Sequence, residues 1–134
     1  MFLTRNDEGS RMEATLINGG DGPAGIELQE EPLEDGVVLT VRGELDIATV
    51  PGLRERLDAA VDAGVGRLVL DLTGVTFMDS VAMAAIIHAR TRLGDAGRLA
   101  VVIAGDSYPR LVLEIAGLPR CLDLFETRAE AVAA

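Results

Sequence analysis

The stretch Val69-Leu70-Asp71-Leu72-Thr73-Gly74-Val75-Thr76-Phe77-Met78-Asp79-Ser80 decides how this chain folds. Arg67–Leu72 is nearly continuous in apolar residues, the pattern of a strand covered on both faces. The polar residues after it predict a short loop, and an apolar helix follows from Ser80 to about Leu93. On that helix Ala82, Ala85, Ile86, Ala89 and Leu93 share one face, while Arg90 and Arg92 suit its negative C-terminal end. The loop therefore delivers one serine, Ser80, to a helix start, where backbone N–H groups and the helix dipole favour an anion. Asp79 is the expected N-cap. His88 cannot act as a base for Ser80, because eight residues of helix rise about 12 Å and a nucleophile needs its base within roughly 3 Å. The G-x-S-x-G elbow of serine hydrolases is missing as well. Ser80 therefore reads better as a hydroxyl that receives a phosphate than as one that performs chemistry, with an ordinary helix-start residue as the alternative.

Outward from this unit, strands and helices alternate. Ile26–Glu30 and Val37–Val41 read as strands joined by Glu34-Asp35-Gly36, with a positive φ expected at the glycine. Gly43-Glu44-Leu45-Asp46 leads off the second strand, Thr49 is the expected N-cap of the next helix, and Pro51 is tolerated in its first turn. Leu53, Leu57, Ala60 and Val61 recur at helical spacing, and Gly64 and Gly66 stop that helix. Leu99–Ala104 is a further strand. Asp106 or Ser107 caps a short helix holding Leu111, Val112 and Ile115, and Gly105–Pro109 fits either that cap or a ligand edge. Leu122–Phe125 reads as a last short strand, and Thr127-Arg128-Ala129-Glu130 as a capping box opening a final helix. The expected fold class is α/β, one domain over residues 25–134, with a mixed sheet of four to five strands and helices packed on it. Residues 1–24, ending in Asn18-Gly19-Gly20-Asp21-Gly22-Pro23, read as a flexible tail with transient structure around Met12–Ile17 and a solvated Ser10.

Composition narrows the function classes. The chain has 134 residues, 49% of them hydrophobic but only 3% aromatic, so its core is aliphatic. A net charge of −10 argues against nucleic acid and against anionic membrane surfaces as partners. One cysteine and one histidine exclude an internal disulfide and cannot build a zinc site. No apolar run approaches the roughly 18 residues of a membrane span, and no secretion signal opens the chain, which gives a cytoplasmic expectation. No cofactor, metal site or catalytic residue is expected.

The motifs Gly43-Glu44-Leu45-Asp46, Leu70-Asp71-Leu72 and Phe77-Met78-Asp79-Ser80, in this order, resemble the STAS domain and within it the bacterial anti-sigma factor antagonists. The resemblance covers residues 25–134. It implies a cytoplasmic protein, monomer or weak dimer, that binds an anti-sigma factor, often a serine kinase of the histidine-kinase ATPase fold. Such binding releases the sigma factor. The kinase phosphorylates the serine that matches Ser80, which ends the interaction until a phosphatase reverses it. The resemblance also places the Glu44–Asp46 loop beside Ser80. The expected partner-binding set is Glu44, Asp46, Met78, Asp79, Ser80, Val81 and Met83, with Met78 and Met83 in an exposed patch and Phe77 in the core. The family commonly has a small polar residue and then glycine after this serine. Val81 and Ala82 stand here instead, both compatible with helix. Two alternatives share the fold: a STAS scaffold or regulatory component of a larger signalling or transporter-associated assembly, and a nucleotide or small-molecule sensor. The sensor is disfavoured by the lack of a Gly-rich phosphate cradle.

Overall fold

A computed structural model describes residues 25–134, together with the backbone of Phe2–Leu3 and Glu13–Ile17. Seven strands form one sheet in chain order: β1 (Phe2–Leu3), β2 (Glu13–Ile17), β3 (Ile26–Leu33), β4 (Gly36–Leu45), β5 (Arg67–Met78), β6 (Arg98–Val102) and β7 (Asp123–Phe125). Pairing is antiparallel from β1 to β4 and parallel from β4 to β7. The five strands from Ile26 onward match the expected mixed sheet. Two more come from the segment read as a tail, because Glu13–Ile17 pairs residue for residue with Ile26–Glu30 and extends the sheet at the β3 edge. The other residues of that segment, Ser10 among them, lie outside the described residues.

The helices α1 (Val50–Asp62), α2 (Ser80–Leu93) and α3 (Tyr108–Ile115) connect the parallel strands, and α4 (Arg128–Ala133) ends the chain. Crossovers of one hand, all running the same way along the sheet, leave their helices on one face. Leu53 and Leu57 of α1, Ala82, Ala85, Ile86, Ala89 and Leu93 of α2 and Leu113 of α3 accordingly share one core with Leu39, Leu70 and Leu72 of the sheet. On the opposite face Ala131 of α4 covers Val38, Val69, Ala100 and Val102. Arg67–Leu72 is thus buried from both sides, as its apolar run predicts.

Three local expectations are corrected. Gly36 does not take a positive φ. Its lack of a side chain serves close approach instead, since a Cβ there would lie 1.7 Å from the Arg67 carbonyl oxygen. Thr49 occupies the N-cap position of α1 without capping it. Its buried hydroxyl donates to the Glu44 carbonyl at 2.7 Å and accepts from the Asp46 N–H at 3.0 Å. Finally, β5 does not stop at Leu72. The pairing with β4 leaves one extra β5 residue between Thr40 and Arg42 and another between Gly43 and Glu44. Two such bulges let the strand run on to Met78, so the expected loop shrinks to Asp79 alone. Asp71 consequently lies within the strand and not at its end.

Candidate functional site

The carboxyl ends of β4, β5 and β6 form one edge, from which the loops to α1, α2 and α3 emerge. Register pairs Glu44 with Phe77 and Leu45 with Met78, and the Asp79 N–H donates to the Leu45 carbonyl at 3.3 Å. This brings Glu44–Asp46 alongside Phe77–Asp79. Ser80 is the first residue of α2 and is exposed. Asp79 caps the helix as expected, with Oδ1 accepting from the N–H of Val81 at 3.0 Å and of Ala82 at 3.3 Å. The Met83 N–H donates to the Asp79 carbonyl. At the helix start the N–H groups of Val81, Ala82 and Met83 are therefore engaged by Asp79.

Asp46 is half-buried and shapes its own loop, its Oδ1 accepting from the N–H groups of Ala48 and Thr49 at 3.0 and 3.1 Å. Glu44 is exposed beside it. Val81 and Met83 are half-buried and pack against the core. Ala82 is fully buried, which gives a physical reason for a small apolar residue where the family commonly has glycine.

The structure reverses two expectations. Met78 does not belong to an exposed patch: it is 1% exposed and sits in the core. Phe77 is not core: it is 37% exposed and stacks on Tyr108, ring centroids 5.8 Å apart and planes 14° from parallel. Met78 precedes the N-cap and belongs to a strand, so it does not share a helical face with Ser80 and Met83. Cys121 is exposed.

Sequence reasoning missed the outer side of α3. Ser107 caps this helix, accepting from the Arg110 N–H at 3.2 Å, and Leu113 faces the core. Leu111 and Ile115 point away from it, 50% and 78% exposed. A cleft of about 270 Å³ at Leu111 includes Asp106, Ser107, Tyr108 and Arg110 in its lining. The available signal was an excess of apolar residues, more than one face of an eight-residue helix can bury.

A polar cluster occupies the α4 side of the sheet, apart from this edge. Asp71 Oδ2 accepts from Arg128 Nη2 at 2.7 Å and Nε at 3.2 Å, and Oδ1 accepts from the Thr73 N–H at 2.9 Å and hydroxyl at 2.7 Å. Arg128 Nη2 also donates to Thr40 Oγ1 at 2.8 Å. Burial alone would push the Asp71 carboxyl up, but the Thr73 N–H, Arg128 and the Thr73 hydroxyl together hold it below the ordinary aspartate value. This cluster ties α4 to β4 and β5.

Fold and edge together define a small α/β module that presents a serine at a helix start. The STAS domain model matches residues 26–131, and the chain belongs to that family. It is 30% identical over 95 residues to the anti-sigma-F factor antagonist RsfB of Mycobacterium tuberculosis, covering 71% of this chain and 77% of the relative. The crystal structure of an anti-sigma factor antagonist from Mycobacterium paratuberculosis superposes with a TM-score of 0.77 at 28% identity, covering 84% of this chain and 95% of that one. Unphosphorylated SpoIIAA, another anti-sigma factor antagonist, gives 0.66 at 26% identity, over 78% and 92%. The phosphorylated form of SpoIIAA, a Bacillus cell fate determinant, gives 0.60 at 26% identity, over 79% and 96%. Among the described residues, no helix is long and apolar enough to cross a membrane.

Proposed function

We propose that this protein is an anti-sigma factor antagonist, acting in the cytoplasm as a monomer or weak dimer. With Ser80 unmodified it binds an anti-sigma factor and so frees the sigma factor; phosphorylation of Ser80 ends that binding. The observation that carries this reading is the exposed Ser80 at the first position of α2, on an edge shared with Glu44, Asp46 and Asp79. Those residues and the exposed part of Val81 form the contact rim, with Met83 contributing only its accessible side. Met78 acts from beneath as core. The domain that folds and binds is residues 25–134.

The chemistry favours a switch over an enzyme. Ser80 has no base in register, so the phosphate comes from a kinase, in this reading the anti-sigma factor itself with a histidine-kinase ATPase fold, and leaves by a phosphatase. A phosphate adds about −1.5 to −2 charges. Because Asp79 engages the Val81 and Ala82 N–H groups, that charge is not absorbed into the cap and stands at the contact surface. Docking would then desolvate it beside carboxylates. That relatives include a protein solved in unphosphorylated and phosphorylated forms supports the reading. The test is phosphate mapping after incubation with the cognate kinase and ATP, by intact mass and peptide fragmentation. A single phosphate on Ser80 is expected; modification of Ser107 or a threonine with Ser80 untouched would sink the assignment.

A further inference from the structure

Phe77 and Tyr108 stack on each other at the Ser80 edge, and both rings remain open to solvent. Leu111 and Ile115 follow Tyr108 at i+3 and i+7, so the three side chains form one stripe along α3. Among the described residues, Phe77 and Tyr108 are aromatic rings that stand exposed. Clustered large apolar side chains on a soluble surface mark a place where another surface docks. The charges about the stripe sum to negative: Asp106 is exposed in the cleft lining, Glu44 is exposed at the position paired with Phe77, and the Glu114 and Arg110 that also line the cleft neutralise each other at 2.9 Å. In a chain of net charge −10, a second copy would bring this acidic rim against itself.

We propose that the anti-sigma factor's footprint runs from Ser80 across Phe77 onto the outer face of α3, where the cleft beside Tyr108 and Leu111 takes an apolar anchor of a partner surface with a basic rim. This rests on the functional reading above and extends it to residues outside the serine's own loop. The partner's anchor fills the 270 Å³ cleft, and its basic groups face Asp106 and Glu44. A phosphate on Ser80 would then act at the border of an apolar contact, where exclusion of water makes an added charge most costly.

The experiment is a titration of purified chain against the purified anti-sigma factors of its source organism, using wild type, Leu111→Asp, Ile115→Asp and Ala129→Asp. Ala129 is exposed on α4, across the sheet, and controls for added charge alone. Leu111→Asp and Ile115→Asp should each weaken binding at least about tenfold, as for central contact residues, with Ala129→Asp near wild type. Raising the salt concentration should weaken the wild-type complex. Ile115→Ser replaces either acidic variant if circular dichroism shows it unfolded. Wild-type affinity retained by both folded stripe variants would remove α3 from the footprint while the functional reading stands. Failure of wild type to bind any anti-sigma factor would overturn that reading and the inference with it. Sedimentation of the wild type as a dimer that Ile115→Asp dissolves would make the stripe a self-interface and refute the proposal.

Discussion

Replacing Arg128 by alanine removes the guanidinium from a carboxylate that is only 5% exposed. Asp71 then keeps its two Thr73 bonds and loses both bonds from Arg128. Stranding a buried charge costs about 3–5 kcal/mol. The Arg128 side chain is 40% exposed, so water already screens part of the pair and can reach the vacated site. About 2 kcal/mol of lost stability is the resulting expectation. Asp71→Asn alone sets an amide donor against guanidinium donors and also destabilises. In the double variant neither a stranded charge nor a donor clash remains, so the two losses should not add, with a coupling of at least about 1 kcal/mol. Urea unfolding of the four proteins measures this directly. The pH dependence has a definite sign. The folded-state Asp71 carboxyl lies below its unfolded value, so its contribution is present above about pH 4 and is lost as pH falls through the depressed folded value. The gap between wild type and Arg128→Ala should therefore shrink with acidification. Additive losses, or a gap that stays constant from neutral to strongly acid pH, would refute this account of the cluster.

Gly36→Ala should lose about 1–3 kcal/mol or fail to fold, since its Cβ would fall 1.7 Å from the Arg67 carbonyl oxygen; denaturant midpoints check it. Asp79→Ala should cost about 1 kcal/mol through the lost cap, with Asp79→Asn nearer wild type in thermal unfolding. Met78→Ala should cost about 2–5 kcal/mol as a core truncation, and Phe77→Ala clearly less, about 1 kcal/mol for the stacked pair; the opposite order would reverse the inside and outside assignments.

The parts of the fold that were legible are those where a single period runs uninterrupted. All five α2 residues assigned to one face are the buried ones, and the capping box of Thr127 and Glu130 is present. What hid the rest was interrupted periodicity. Two bulges in β5 space Leu72, Val75 and Met78 three apart, so Thr73, Gly74 and Thr76 read as loop and the Phe77/Met78 pair came out inverted. The helix start at Ser80 and its Asp79 cap were legible, because both are local. The α3 stripe was not, since residue type alone does not tell Leu111 from Leu113 on a short helix apolar on both sides. Asp71 and Arg128, 57 residues apart, meet only through the sheet.

The switch itself is tested most directly by the dissociation constant for the anti-sigma partner, measured on the same preparation before and after stoichiometric phosphorylation of Ser80. A desolvated, unpaired charge penalises docking by about 2 kcal/mol or more, so the phosphorylated protein should bind at least ~30-fold more weakly. Ser80→Ala should match the unphosphorylated protein, since an exposed hydroxyl contributes little. Equal affinity for the two folded forms would contradict the account.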